Sequence, residues 1–244
     1  MNQFNVEKTT QECISWIKDW FDKNGKDCKA IIGISGGKDS SVAAALCVRA
    51  LGNDRVVGVL MPDGLQKDIG YSFSICKELN IQFIKCNIEQ IIAETYDSIK
   101  AGMFNRVGNV VKPFKISEQT KINLPARIRM VMLYAVSQSM YGRVCNTCNL
   151  SEEMIGYSTR WGDNVGDFAP LRNLTSDEVI AIGEYLGLHE KFTRKPPSDG
   201  LCGKTDEENF GFTYQELNRY LQENICENEE IRNKMSPPIP GCKA

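Results

Sequence analysis

The stretch Ala30-Ile31-Ile32-Gly33-Ile34-Ser35-Gly36-Gly37-Lys38-Asp39-Ser40-Ser41 limits what this chain can fold into more than any other. Ala30 to Ile34 is a short apolar run, suited to a parallel strand covered on both faces. A two-glycine turn follows, and Val42 to Leu51 continues as an almost wholly apolar helix. The helix N-terminus therefore lies at the turn, with N–H groups that lack intrahelical partners and with the positive end of the dipole. Glycines without Cβ let a ligand come close to the backbone. Together these features predict an anion site, suited to phosphate.

A Walker A loop has four residues between its glycines and Ser or Thr after its Lys. Here three residues separate Gly33 from Gly37, and Asp39 follows Lys38. A carboxylate beside a phosphate cradle repels its ligand unless a cation lies between them, so Asp39 predicts magnesium bridging a carboxylate to a polyphosphate. The plainer alternative is a Gly-rich strand-to-helix turn with Asp39 as a helix cap.

Further along, Arg55 to Met61 and Ile81 to Cys86 read as a second and third strand, with helices at Val42–Leu51 and Gln66–Leu79 between them. Thr10 to Phe21 predicts an amphipathic helix in front. The alternation argues for an α/β fold: a Rossmann-like, doubly wound parallel sheet flanked by helices. In such sheets ligands bind outside the carboxyl ends of the strands, where the Ser35 loop falls. Ile88 to Phe104 reads as helical and Asn105 to Ile122 as a polar loop. Asn123-Leu124-Pro125 reads as a helix start, with Asn123 as N-cap and Pro125 in the first turn. Arg143 to Cys145 is a short strand candidate, and Ser151-Glu152-Glu153 a short helical turn. Thr175 with Glu178 has the capping-box pattern. Two more helices are expected at Thr213–Asn224 and Glu227–Lys234.

The 244 residues suit one domain, 1–244. With 29 basic and 31 acidic residues, net charge is −2 and no block of basic residues marks a nucleic-acid footprint. No run approaches a membrane span, and Met1 to Asp22 lacks a signal-type apolar core, so the cytoplasm is the expected compartment. The ten cysteines are dispersed and mostly in apolar surroundings, as in a reducing compartment. Cys145-Asn146-Thr147-Cys148 is the one CxxC; with no second pair and no nearby His, zinc is not expected. The single histidine, His189, reads as a helix-terminal surface residue, which leaves little for His-based nucleophilic catalysis.

Ser35-Gly36-Gly37-Lys38-Asp39-Ser40 resembles the SGGxDS pyrophosphate loop of the N-type ATP pyrophosphatases, whose fold is adenine-nucleotide α-hydrolase-like. Two later stretches resemble one branch of that superfamily, the NAD synthetases. Asn123 to Met130 is similar to their NxxARxRM helix. Glu152 to Asp167 matches their second segment at Glu152, Gly156, Tyr157, Thr159, Arg160, Trp161, Gly162, Asp163 and Asp167. Read on residue chemistry alone, Arg127 and Arg129 could be solvated, and Glu152, Asp163 and Asp167 ordinary turn or loop acids.

The resemblance implies an ammonia-dependent ligase acting on ATP and deamido-NAD, with magnesium and as a homodimer, with no glutaminase domain and no nucleic-acid or membrane partner. Gly33, Ile34, Ser35, Gly36, Gly37, Lys38, Asp39 and Ser40 would hold ATP, with Ser35, Lys38 and Asp39 at the reacting phosphates. Thr147, Ser176 and Ser198 would add ATP contacts. Asp39 and Glu152 would hold magnesium. Arg127, Arg160, Asp167, Asn233 and Lys234 would bind deamido-NAD; an arginine fork suits a carboxylate or phosphate. The chain departs from relatives in Asn146-Thr147-Cys148-Asn149 for Gly-Thr-Asp-His, Ser176 for Lys, Ser198 for Thr, and Asn233 for His. The alternatives are a tRNA-modifying ATP pyrophosphatase and a non-catalytic nucleotide-binding homologue.

Overall fold

In the first strand, β1 (Lys29–Gly33), Ala30 and Ile32 enter one apolar cluster and Ile31 another, and all three are fully buried. A strand apolar on both faces needs cover on both. The computed structural model, which describes residues 4–106, 109–113, 115–195, 211–223 and 228–235, supplies it. On one face lie α1 (Val6–Asn24), α2 (Lys38–Leu51), α3 (Ile69–Glu78) and α7 (Ser176–Tyr185); they bury Ile17, Leu46, Ile75 and Ile182 against Ala30 and Ile32. On the other lie α4 (Glu89–Ala101) and α5 (Glu118–Ser139), whose Ile92, Met130 and Leu133 pack with Ile31, Val57 and Val144.

The sheet has the order β3-β2-β1-β6, all parallel, with β2 Val56–Leu60, β3 Gln82–Lys85 and β6 Gly142–Cys145. The chain steps outward from β1 to β2 and β3, then returns to place β6 on the other side of β1. The carboxyl ends of β1 and β6 thus flank a topological switch point. A small third cluster forms where α9 (Tyr214–Glu223) and α10 (Glu229–Lys234) bury Phe212, Leu217 and Ile231 beside Ile155 and Tyr157.

Two expectations need correction. The stretch 105–122 is not a plain loop: β4 (Met103–Arg106) and β5 (Asn109–Pro113) pair antiparallel, and α5 already begins at Glu118. Asn123 is not its N-cap either. Ser117 caps α5, its side chain accepting from Thr120 N–H at 3.2 Å, and Pro125 lies buried inside the helix. A proline there forfeits one backbone hydrogen bond. Asn123 instead accepts from Thr159 Oγ1 at 2.8 Å, tying α5 to the segment after β6. His189 behaves as read: it is exposed and caps the short helix α8 (Glu190–Thr193), Nδ1 accepting from Lys191 N–H.

Candidate active site

The loop after β1 and the turn after β6 face each other across the switch point and bound a cavity of about 730 Å³. Helix α2 starts at Lys38, earlier than its apolar run, so Lys38, Asp39 and Ser40 form its first turn. Its N-cap is Gly37, and no side chain caps it; the N-terminus of this helix is turned to the cavity with its dipole uncompensated by a cap. Ser40 Oγ lies 3.0 Å from Ser35 Oγ, and Ser35 Oγ accepts from Gly37 N–H at 3.3 Å, so the two serines brace the turn.

The two glycines have different reasons. Gly36 has φ +77°, and a Cβ there would fall 2.6 Å from Tyr71 Cβ and 2.7 Å from Ser72 N at the start of α3. Gly37 has ordinary backbone angles, and only Ser35 Oγ, at 3.5 Å, comes near an added Cβ. Packing and φ demand the first glycine; the second keeps the cradle open.

Asp39 is held from two sides. Its Oδ2 accepts from Lys38 Nζ at 2.8 Å, and its Oδ1 accepts from Asn149 Nδ2 at 2.9 Å. Asn149 also caps the short helix α6 (Leu150–Met154): its Oδ1 accepts from Glu152 N–H at 3.1 Å, while Glu152 Oε2 accepts from Asn149 N–H at 3.3 Å. The two acids expected to share magnesium, 113 positions apart in sequence, are thus joined through one residue, Asn149, whose side-chain amide holds Asp39 and whose backbone N–H holds Glu152. Both line the cavity. Among the described residues no group of three or more His, Cys, Asp or Glu gathers. Two hard carboxylates fit magnesium nonetheless, because that ion takes one or two carboxylates and completes its shell with phosphate oxygens and water.

Gly33, Ile34, Ser35, Gly37, Lys38, Ser40 and Thr147 also line the cavity. Arg127, Arg160 and Asp167 do not. Arg127 Nε donates to the Arg160 carbonyl at 3.2 Å. Asp167 accepts from Val144 N–H at 2.7 Å and from Tyr134 Oη at 3.3 Å, and with Trp161 it borders a second cleft of about 820 Å³ against α1. Lys234 Nζ sits 5.7 Å above the Phe212 ring in the third cluster. Ser176 is buried at the start of α7, its N–H donating to Ser151 Oγ at 3.0 Å, and is not brought to the cavity. Ser198 and the side chain of Asn233 lie outside the described residues.

Further residues at the cavity carry no assignment to ATP, magnesium or deamido-NAD, although Arg129 is open to serving the same pocket as Arg127. Ala126, Arg129, Met130 and Leu133 of α5 line it at the i, i+3, i+4, i+7 spacing of one helix face. That spacing selects Arg129 over Arg127, two positions earlier and off the face. Arg129 Nε donates to Met61 O at 3.1 Å; burial pulls its pKa down, against the opposing pull of Asp63 and Asp163. Burial likewise raises the pKa of Asp163, which accepts from Thr159 N–H at 2.5 Å. Burial, with Glu152, Asp163 and Asp39 nearby, keeps the Cys148 thiol protonated; its Sγ donates to Asp163 O at 3.3 Å. Lys195 pairs with Asp68 at the cavity edge and lies 4.9 Å from the Tyr71 ring. Tyr214 of α9 faces Lys38 Nζ at 5.5 Å.

A family model described as NAD synthase matches residues 9–239. The chain belongs to the NAD synthase family. Among its members, the NH(3)-dependent NAD(+) synthetase of Thermococcus sibiricus is 32% identical over 243 residues, covering 98% of this chain and 90% of its own length. Two solved structures extend the likeness to the fold. The NMN synthetase from Francisella tularensis has TM-score 0.83 at 28% identity, covering 98% of this chain and 100% of that one. The NH3-dependent NAD synthetase from Campylobacter jejuni has TM-score 0.73 at 25% identity, with the same coverages. The NAD synthase family and its parallel α/β fold are those the three sequence motifs implied. A tRNA-modifying enzyme and a non-catalytic homologue are not favoured.

Proposed function

We propose that this NAD synthase family member is a ligase that amidates deamido-NAD with ammonia at the expense of ATP. The observation that carries the reading is the pairing of Asp39 with Glu152 at the mouth of the uncapped helix α2. The nicotinate carboxylate attacks the α-phosphorus of ATP, and the bond to the β-phosphate oxygen breaks, releasing pyrophosphate. Ammonia then attacks the acyl carbon of the adenylate, AMP leaves with the former carboxylate oxygen, and a proton is lost to give NAD.

The Gly36–Ser40 turn and the first-turn N–H groups of α2 hold the leaving pyrophosphate. Asp39 and Glu152 would hold magnesium, which supplies charge neutralisation for the polyphosphate. Lys38 adds a cation at the same loop. Arg127 and Arg160, which meet through the Arg160 carbonyl, together with Asp167 and Lys234, are assigned to the dinucleotide. Thr147, which lines the cavity, is assigned to ATP. No side-chain nucleophile is needed.

The reading includes ammonia as nitrogen source within one synthetase domain, and a cytoplasmic enzyme, since ATP is its co-substrate. It also includes a homodimer, which the resemblance to the family implies. Light scattering on the purified protein checks the dimer.

The test of function is to mix the protein with ATP, magnesium, deamido-NAD and ammonium and to measure AMP and NAD. No NAD above a no-enzyme control sinks the reading. The likeness to the Francisella NMN synthetase favours one second reading: the same amidation on the mononucleotide, giving NMN. Comparing kcat/KM for the two nucleotides decides between them.

A further inference from the structure

Among residues that cap helices well, Ser, Thr, Asp and Asn all provide the acceptor that a first-turn N–H needs. Asn149 does this for Glu152 N–H, yet α6 is only five residues long. The rest of the Asn149 side chain is what distinguishes it. An amide carries both an acceptor and a donor at the same reach, whereas a carboxylate has only acceptors and a hydroxyl is shorter. The Asn149 donor goes to Asp39 Oδ1, across the switch point, at 2.9 Å. Its backbone N–H goes to Glu152 Oε2 at 3.3 Å. Asn149 is fully buried, and its turn is shaped by Asn146, whose Oδ1 accepts from Cys148 N–H at 2.9 Å and whose Nδ2 donates to Asp163 O at 2.9 Å.

We propose that Asn149 is a positioning residue that sets the spacing and orientation of the Asp39 and Glu152 carboxylates for a divalent cation. The proposal rests on the reading of these two acids as the metal pair. Two carboxylates facing one cavity repel each other, and the side chains are held in register only if something fixes them. Lys38 already places a cation on Asp39 Oδ2 at 2.8 Å, and a neutral donor on Oδ1 fixes the carboxylate without adding a second charge. Asn149 takes one oxygen of each acid with a neutral donor, its side-chain amide on Asp39 and its backbone N–H on Glu152. The chemistry selected is thus hard oxygen coordination of magnesium or manganese together with a polyphosphate.

Asn149→Ser separates this role from helix capping. Serine keeps a cap for α6 but is too short to reach Asp39. The expected result is a folded protein, with its melting temperature lowered only by the lost Asp39 hydrogen bond, and about 10- to 100-fold weaker Mn²⁺ binding, measured by calorimetry in the presence of pyrophosphate, as for other residues that orient metal ligands. The half-saturating Mg²⁺ concentration for AMP formation should rise by the same factor, with KM for the nicotinate nucleotide unmoved. In an Asp39→Asn background the serine change should add little, because the partner of the amide donor is already altered. Asn149→Thr, which also caps, repeats the measurement should the serine variant not fold.

Wild-type Mn²⁺ affinity in the serine or threonine variant would overturn the proposal, as would a loss of turnover by the same factor at every Mg²⁺ concentration. Wild-type protein that binds no Mn²⁺ with pyrophosphate would instead overturn the reading of Asp39 and Glu152 as the metal pair.

Discussion

At the scale of single residues, the site depends on acids placed where they must be balanced by something else. Asp39 is surrounded by a lysine and an amide and faces a phosphate cradle. Asp39→Asn keeps the shape and removes the charge, and kcat should fall by about 10²-fold or more, the range seen for comparable electrostatic groups. Steady-state AMP release at saturating magnesium measures this; wild-type turnover would remove Asp39 from the metal pair. Asp163 offers a test by pH. Burial raises its pKa in the folded state above 3.8, so the folded protein binds this proton more tightly than the unfolded chain does. Its contribution to stability is greatest in acid and is lost as pH rises through the raised pKa. Asp163→Asn, always neutral, should therefore gain stability relative to wild type as pH climbs from about 4 toward neutrality, with the gap constant above the folded pKa. Urea unfolding at a series of pH values reads the sign directly; a gap that shrinks with pH would contradict it.

At the scale of elements, what was legible in the sequence followed from local rules, and what was not depended on partners far away. Ala30 to Leu51 declared strand, turn and helix because each step has a short-range cause. The capping box at Thr175 and Glu178 was equally plain and is present, with Thr175 N–H donating to Glu178 at 2.8 Å. Asn123-Leu124-Pro125 misled because a cap followed by proline is the usual signature of a helix start. The true start, Ser117, is set by a weaker local signal, while Asn123 answers to Thr159, which only the folded chain brings near. Asn149 was invisible as a functional residue for the same reason: its partner Asp39 is 110 positions away. Gly36 is a case where both scales agree. Gly36→Ala meets a positive φ and a packed neighbour at once, so it should cost about 1–3 kcal/mol of strain before any relaxation of α3. Gly37→Ala, with room for its Cβ, should fold normally and lose ATP affinity instead. Thermal melts paired with nucleotide titrations distinguish the two substitutions.

At the scale of the whole molecule, the two faces of the sheet form the large cores, and the α9–α10 cluster is a small separate one. That third cluster nevertheless reaches the phosphate loop, because Tyr214 lies against Lys38. A unit with a small core opens at lower free energy than one packed across a sheet. Nucleotide binding should therefore stabilise this unit, to the extent that ATP prefers the arrangement in which Tyr214 lies against Lys38. Leu46 and Leu217 are both fully buried, one in the sheet core and one in the small cluster. Leu46→Ala should lower global stability by about 2–5 kcal/mol. Leu217→Ala removes the same atoms but should hardly move the unfolding of the sheet. It should instead raise KM for ATP and speed amide exchange in α9, an increase that saturating ATP partly reverses. Hydrogen exchange followed segment by segment, with and without ATP, tests this. If α9 exchanges in step with β1 and Leu217→Ala lowers stability as much as Leu46→Ala, the cluster and the sheet are one cooperative unit, and the fold itself holds Tyr214 against Lys38.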